Sequence, residues 1–279
     1  MVRNLTPLLE EARTEGQAVG SFNVYSYETV RGVLEAGAST GAPVIVAFGE
    51  RYLAQLDFET VVAMCRAVAR VVPADHVIHL DHCKSEDDVY RAMRAGFTSV
   101  MFDGSALPFE ENLSRTRRVV EVAHALGISV EAELGSLSAA SDSQEGDRDS
   151  RQIYTDPGQA ALFAEETGVD ALAVSIGTVH GSYKGTPKIR VDVLKEIRRS
   201  TPVPLVLHGG SGTPPDVLRE CIAEGITKIN VNTEISASAV QRLRDSLAGQ
   251  RAPHLSTLSG VVVDSVRGTV EEQIGLFTR

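Results

Sequence analysis

Eight short apolar runs, each followed by an amphipathic segment, constrain the fold of this chain more than any other feature of its sequence. The runs are rich in β-branched residues and fall at 19–25, 43–49, 76–82, 98–104, 129–135, 171–177, 204–210 and 226–232. Strands buried on both faces read as continuous apolar runs, and their alternation with helices is typical of a parallel sheet. The pattern therefore predicts eight βα units.

The segments between the runs carry the expected helix signals. ETVRGVLEAGAST and PPDVLRECIAEG, for example, are amphipathic, and polar or Pro starts with closing Gly residues recur among these segments. A chain of 279 residues fits one barrel of eight such units, which needs about 250 residues. We therefore predict an α/β protein consisting of one (β/α)8 TIM barrel over residues 1–279. An open doubly wound sheet is the alternative.

Charge, cysteines and hydropathy exclude several functional classes. The formal net charge of −10 opposes nucleic-acid binding, which depends on basic patches. Cys65, Cys83 and Cys221 are odd in number and far apart, which argues against a disulfide framework. No signal peptide and no run of about 18 apolar residues is visible in the sequence. We expect a cytoplasmic protein without membrane or nucleic-acid partners.

Polar residues follow most of the predicted strands. The carboxyl ends of barrel strands meet at one rim, so these side chains are expected to lie close together. The set is Asp81, His82, Asp103, Ser105, Glu133, His180, His208, Asn230 and Thr233. Strict alternation puts His79 and Asp81 on one face of the third strand, so we expect His82 to lie beyond that strand, where the chain turns.

Three of these residues, His82, His180 and His208, indicate a metal site. Three imidazoles with an open fourth position suit a catalytic Zn²⁺, whereas a structural zinc site closes with four ligands and usually includes Cys. Cys83 lies next to His82, and we interpret it as a packed neighbour of the site rather than a ligand.

Two glycine-containing loops predict a phosphate site. HGGSG (208–212) and NVNTE (230–234) each run from a predicted strand into a helix, and loops after strands seven and eight are the usual barrel phosphate site. GTVHGSYKG (177–185) adds a third glycine-containing turn with Lys184. The segment 136–152 is polar and long for a βα loop, so we predict a mobile active-site loop there, with a surface insertion as the alternative.

The motifs FNVYSYET, HLDHC, EAELG, GTVHGSYKG, LHGGSG and KINVNTE occur in this order along the chain. In their order and spacing, the sequence resembles the class II, zinc-dependent fructose-bisphosphate and tagatose-bisphosphate aldolases along nearly its whole length. The resemblance implies reversible cleavage of a phosphorylated ketose into dihydroxyacetone phosphate and an aldehyde. It further implies a homodimer or homotetramer.

The resemblance also implies cofactors and their ligands. His82, His180 and His208 would bind Zn²⁺, and Glu133 would lie close to the metal in an outer or alternative position. A monovalent cation, Na⁺ or K⁺, commonly lies beside the substrate phosphate in this family.

The implied catalytic residues are Asp81, as the acid/base that takes the C4 hydroxyl proton, and Asn230, near the donor carbonyl. Asp103 and Ser105 would support the site. The residues assigned to the substrate and its phosphate are Gly181, Lys184, Gly209, Gly210, Ser211, Asn232 and Thr233.

The sequence departs from the family pattern at three positions. Ser141 stands where the family has a loop glutamate that exchanges the donor's proton, and Asp142 or Glu145 is the candidate replacement. Gly49 replaces a common Ser near the distal end of the substrate, and Asn232 replaces an Asp or Ala. The distal half of the substrate therefore stays open, and a different ketose 1-phosphate or a 6-phosphorylated deoxy sugar acid is an alternative to the bisphosphates.

Two other classes of function compete. A zinc-dependent barrel hydrolase would use the same histidines to activate water, but it predicts an HxH pair on strand one, where this chain has FNVYS. A non-catalytic phosphosugar-binding homologue would retain the metal site after losing the loop glutamate. Lys184 and Lys228 are formal candidates for a Schiff base, which would leave the three histidines without a role.

Overall fold

The computed structural model describes residues 1–137, 153–181, 188–248 and 253–278. All eight predicted runs form strands, which pair in parallel in sequence order and close through β8 and β1 into a barrel. The strands are β1 (Val19–Asn23), β2 (Val44–Gly49), β3 (His76–Cys83), β4 (Ser99–Phe102), β5 (Ser129–Leu134), β6 (Ala171–Val174), β7 (Leu205–Leu207) and β8 (Ile226–Val231). The prediction of a single (β/α)8 barrel is confirmed.

Helices cover the outside of the barrel and its amino-terminal end. They are α1 (Leu5–Glu15), α2 (Tyr27–Thr40), α3 (Phe58–Ala69), α4 (Glu86–Ala95), α5 (Phe109–Ala125), α6 (Pro157–Thr167), α7 (Val191–Ser200), α8 (Pro215–Ala223), α9 (Thr233–Leu247) and α10 (Leu255–Phe277). A short 3₁₀ helix, Glu50–Tyr52, follows β2. Among the described helices, none combines the length and the apolar character that a bilayer crossing requires.

Local sequence signals set the helix ends. The Ser85 side chain accepts a hydrogen bond from the Asp88 N–H at the start of α4, and Asp156 accepts one from Gln159 at the start of α6. Such N-caps satisfy backbone donors that have no partner within the helix. Gly96 and Gly168 end the same two helices in the left-handed conformation that glycine adopts without strain.

Two apolar layers hold the barrel together. The larger lies between the strands and the outer helices. The smaller lies inside the barrel, where Leu5, Leu8 and Leu9 of α1 pack with Ile45 and Val77 near the beginnings of their strands. α1 thus closes the amino-terminal end of the barrel mainly with apolar side chains.

The third strand does not end where the sequence predicts. We expected His82 beyond the strand, but β3 continues through His82 to Cys83. His82 has a φ of 46°, and the pairing register with β4 shifts between Leu80 and Cys83. This irregularity inside the strand breaks the strict alternation of side chains, so consecutive Asp81 and His82 both reach the rim.

Candidate active site

The three predicted histidines converge at the carboxyl rim. His82 lies in β3, His180 in the loop after β6, and His208 directly after β7. One ring nitrogen from each lies within 4.8 Å of the other two. The closest approach is 2.8 Å, between His82 Nε2 and His208 Nδ1. Sequence-distant residues thus form one cluster of potential metal ligands.

Carboxylates behind two of the rings determine which nitrogens face the centre. Asp103 Oδ2 lies 3.1 Å from His82 Nδ1, and Glu131 Oε1 lies 2.9 Å from His208 Nε2. When these outer nitrogens donate to the carboxylates, the two inner nitrogens turn lone pairs towards each other, and a metal ion or a shared proton between them satisfies both. Carboxylate-backed imidazoles are characteristic of metal sites. The donor set therefore fits a divalent metal.

Glu133 extends this cluster on the side of Asp103. Its Oε2 lies 3.8 Å from His82 Nδ1, is buried, and has no hydrogen-bond partner within the described part of the chain. Burial and the neighbouring Asp103 raise the pKa of Glu133 well above 4.5. His82, Asp103 and Glu133 form a second set of ligand atoms with metal-binding spacing. A cation here would remove the cost of burying this carboxylate in its charged form.

Asp81 is held by two amides from opposite sides. Asn23 Nδ2 donates to one carboxylate oxygen at 2.9 Å, and Asn230 Nδ2 donates to the other at 3.0 Å. Burial alone would raise the pKa of Asp81, but His82, His208 and Lys228 outweigh burial and lower it below 3.8. Asp81 is thus a fixed, ionised proton acceptor beside the histidine cluster.

Lys228 lies below this carboxylate and is fully buried. Its Nζ lies 2.8 Å from Glu131 Oε2 and donates to Asn230 Oδ1 at 2.7 Å. A Schiff-base lysine needs a neutral amine that a substrate carbonyl can reach. Lys228, an ammonium paired with a carboxylate and enclosed by the strands, does not meet this requirement.

The two predicted phosphate loops lie next to each other. Ser211 Oγ accepts hydrogen bonds from the backbone N–H groups of Asn232 and Glu234, both at 3.3 Å, so it caps the start of α9. Gly210 N donates to Asn230 O at 3.0 Å, and Thr233 is the first residue of α9. Gly209 and Gly181 have φ values of 70° and 92°. Lys184 lies outside the described residues, as do Ser141, Asp142, Glu145 and most of the predicted mobile loop.

Asn232 is fixed between two tyrosines. Its Oδ1 accepts a hydrogen bond from Tyr25 OH at 2.9 Å, and its Nδ2 donates to Tyr52 OH at 3.1 Å. Tyr52 also fills the space above Gly49, where a Cβ would lie 3.3 Å from the tyrosine ring. A side chain at position 49 would therefore press against the Tyr52 ring.

A cavity of about 230 Å³ opens beside Asp81. Its lining residues are Asn23, Gly49, Glu50, Arg51, Tyr52, Asp81, His82, Lys84 and Asp103. Arg51 and Lys84 are exposed and are the cations of this lining. Glu50 orients the segment by accepting a hydrogen bond from the Lys84 backbone N–H at 2.9 Å. The cavity thus adjoins Asp81 and one histidine of the cluster, His82.

Cys83 is not part of the site. Its thiol donates to Ser85 O at 3.3 Å, and burial raises its pKa. The interpretation of Cys83 as a packed neighbour agrees with this position.

Sequence reasoning missed four contributors to the site: Asn23, Glu131, Lys228 as a supporting residue, and Tyr52. The first three stand at inward positions of their strands, two residues from a recognised neighbour in the case of Glu131 and Lys228. The period of two was the signal that could have found them. Tyr52 lies in the 3₁₀ helix and offered no such signal.

Fold and site together define a class of enzyme. Cleaving a carbon–carbon bond beside a ketone requires either a Schiff-base lysine or a cation that stabilises the charge developing at the ketone oxygen. Lys228 is unavailable for the first route, whereas the histidine cluster suits the second. A barrel of this kind, with an ionised Asp81 beside the cation site, has the features of a metal-dependent aldolase.

Comparisons with known proteins agree. The sequence model of the family described as "Fructose-bisphosphate aldolase class-II" matches residues 3–279. The chain is 42% identical over 254 residues to "Probable fructose-bisphosphate aldolase" of Bacillus subtilis (strain 168), covering 88% of this chain and 87% of that one. It is 36% identical over 271 residues to "Sulfofructosephosphate aldolase" of Alkalicoccus urumqiensis, covering 97% and 94%.

Among solved structures, the YdjI aldolase from Escherichia coli K12 is similar, with a TM-score of 0.87 at 33% identity; the match covers 99% of this chain and 97% of that one. The chain belongs to the class II fructose-bisphosphate aldolase family and is therefore a lyase.

Proposed function

We propose that this chain is a zinc-dependent aldolase that reversibly cleaves a phosphorylated ketose into dihydroxyacetone phosphate and an aldehyde. The observation that carries the proposal is the position of Asp81, ionised, held by two amides and adjacent to His82. A proton acceptor next to a cation site provides the two elements that a retro-aldol reaction needs.

His82, His180 and His208 would hold the zinc ion, with Glu133 as an outer or alternative ligand. Zinc bound there supplies Lewis-acid stabilisation of the oxygens on the ketone half of the substrate. Asp103 and Glu131 would hold two of the three rings in the tautomers that leave a lone pair free for the ion.

Asp81 takes the proton of the C4 hydroxyl. The C3–C4 bond then breaks, C4 becomes the aldehyde carbon, and the electron pair stays with C3 of the ketone fragment. C3 takes up a proton from solvent to give dihydroxyacetone phosphate, and Asp81 releases the proton that it took, so the overall cleavage neither consumes nor releases a proton. Asn230 holds the Asp81 carboxylate from the side of β8 and lies at the donor end of the site. In the direction of synthesis Asp81 returns the proton to the new hydroxyl.

The phosphate of the ketone half binds at the loops after β6, β7 and β8. Two properties support this proposal: glycines at positive φ allow a close backbone approach, and α9 presents its N-terminus at the same place. The residues assigned are Gly181, Lys184, Gly209, Gly210, Ser211, Asn232 and Thr233. A Na⁺ or K⁺ ion beside this phosphate stays a prediction, as do the homodimeric or homotetrameric state and the cytoplasmic location.

The distal half of the substrate lies in the cavity beside Asp81, where it meets Arg51 and Lys84. These cations favour a ketose with an anionic far end, such as a 1,6-bisphosphate of fructose or tagatose. A relative named "Sulfofructosephosphate aldolase" makes a sulfonate an alternative far end. Phosphate and sulfonate are both recognised by guanidinium and ammonium groups.

The test is release of dihydroxyacetone phosphate from zinc-loaded protein. The panel contains fructose 1,6-bisphosphate, tagatose 1,6-bisphosphate, 6-sulfofructose 1-phosphate and fructose 1-phosphate. We expect release from a substrate with an anionic far end, and we expect chelation and His208→Ala each to abolish it. Zinc-loaded, folded protein that cleaves nothing in this panel would overturn the proposal, and cleavage that persists after complete chelation would overturn its zinc dependence.

A further inference from the structure

A buried lysine lies beneath the proton acceptor. Lys228 Nζ lies between Glu131 Oε2 at 2.8 Å and Asn230 Oδ1 at 2.7 Å, and all three side chains are buried. An ion pair of this kind is costly to bury and is often replaceable by apolar residues without loss of stability. Stability alone therefore does not explain why a charge stands here.

The contact with Asn230 has a directional consequence. An ammonium can only donate, so the group that faces Lys228 must be the amide oxygen of Asn230. Since the amide oxygen faces Lys228, the NH₂ group faces the opposite way and donates to Asp81 Oδ1 at 3.0 Å. The reversed amide would bring NH₂ against ammonium and oxygen against carboxylate, and both contacts would be repulsive. Lys228 therefore favours the amide orientation in which the NH₂ group of Asn230 faces Asp81.

Glu131 anchors that cation. Burial alone would raise the pKa of Glu131, but Lys228 and the hydrogen bond from His208 outweigh burial and lower it to about 2. His79 Nε2 lies 3.7 Å from Oε2 of the same carboxylate. The path runs from Glu131 through Lys228 and Asn230 to Asp81, and it joins strands β5, β8 and β3.

We propose that Lys228 is a positioning residue, which fixes the Asn230 amide so that its NH₂ group holds Asp81 in place for proton transfer. The catalytic part of this inference rests on the proposed function; the amide orientation does not. Lys228 touches no substrate atom in this account. Its effect reaches the reaction only through Asn230.

A double-mutant cycle tests the catalytic part. Lys228→Met removes the charge at nearly constant volume, and Asn230→Ala removes the group on which Lys228 is proposed to act. In the native background, we expect Lys228→Met to lower kcat about 10- to 100-fold and to change KM less than about 3-fold. In the Asn230→Ala background, we expect the same substitution to lower kcat less than about 3-fold. An equal loss of kcat in both backgrounds would overturn the proposal, because a structural role does not depend on Asn230.

Controls separate this effect from loss of fold or metal. Thr227→Val changes a buried neighbour on β8 that bonds to Leu205 O, away from the site, and should leave kcat unchanged. Zinc content and melting temperature are measured for every variant, since unpaired Glu131 contacts His208. If Lys228→Met does not fold, the double variant with Lys228→Met and Glu131→Gln replaces it in the cycle, because it removes both charges of the ion pair. The single variant Glu131→Gln is then the reference protein.

A second readout does not depend on catalysis. The chain has asparagine only at positions 4, 23, 112, 230 and 232, so ¹⁵N-asparagine labelling of the zinc-loaded protein gives five side-chain NH₂ pairs. Asn230→Ala assigns one pair. We expect Lys228→Met and Asp81→Ala each to shift that pair, while the Asn4 pair stays in place. An Asn230 pair that is unmoved by Lys228→Met would overturn the positioning role, even if no substrate of the enzyme had been found.

Discussion

A Cβ atom added to Gly209 would lie 2.8 Å from the carbonyl carbon of Val179 and would overlap its oxygen. The loop after β7 thus packs directly on the backbone of the loop after β6. Each of these loops carries one of the proposed metal ligands, His208 and His180, next to the contact. The distance between the two loops is therefore set at position 209, where the contact leaves room for the hydrogen of glycine but not for a Cβ.

Replacing Gly209 by Ala tests this contact. Gly209 has a φ of 70°, so Ala would be strained and would also push Val179 and His180 away. We expect lower zinc affinity and lower kcat together. Gly41→Ala is the matched control, because Gly41 has a φ of 71° with no atom within 4 Å of an added Cβ. It should cost about 1–2 kcal/mol of stability from backbone strain alone and leave zinc affinity unchanged. Equal zinc affinity in both variants would contradict the packing argument.

Replacing Asp81 by Asn removes the proton acceptor at constant size. We expect kcat to fall about 10²- to 10⁴-fold, the usual contribution of a general acid/base group. The amide oxygen of the substituted side chain could still accept a hydrogen bond from Asn23 or Asn230, so the fold should persist. Steady-state kinetics and melting curves on the same preparation provide the measurement. Retention of more than half of kcat would exclude Asp81 as the acid/base.

Removing the metal should destabilise the fold. A ligand present at 1,000 times its Kd stabilises the folded state by about 4 kcal/mol. At about 2–4 °C per kcal/mol for a domain of comparable size, chelation should lower the melting temperature by roughly 8–16 °C. His208→Ala should melt at the same temperature with and without chelator. If the melting temperature of the wild-type protein is the same with zinc and with chelator, no ion is held at the three histidines.

Arg51 and Lys84 should determine the preference for an anionic far end. Loss of either charge should lower kcat/KM for a substrate with a distal phosphate or sulfonate by about 10-fold, the scale of one charge-assisted contact. For fructose 1-phosphate, which has a neutral far end, Arg51→Ala and Lys84→Ala should leave kcat/KM unchanged. Equal losses on both kinds of substrate would argue that these residues act on the fold of the cavity rather than on the anion.

The sequence predicted those parts of the molecule that repeat or that lie at strand ends. Eight apolar runs predicted eight strands, and the position of His82, His180 and His208 after strands predicted their convergence, because barrel topology alone places strand ends at one rim. Neither inference required knowing which residues touch.

What the sequence did not predict depends on contacts across the barrel. Glu131 and Lys228 stand on strands that are not neighbours, and their pairing follows from how far each side chain reaches into the interior. The positive φ of His82 is a local exception to strand alternation, and alternation was the rule used to place it. Tyr52 lies over Gly49 because the 3₁₀ helix turns back on β2, which no periodicity indicates.

The apolar end of the barrel, closed by α1, divides the interior into two compartments with different tolerances. Residues such as Leu9, Ile45 and Val77 form an apolar cluster at the amino-terminal end of the barrel, whereas His82, His180 and His208 lie at its carboxyl rim. Substitutions in this lower compartment should therefore tune thermal stability while leaving substrate choice and rate unaltered. Stability that is lost when the carboxyl rim is engineered for a new substrate can then be restored by substitutions at the amino-terminal end of the same barrel.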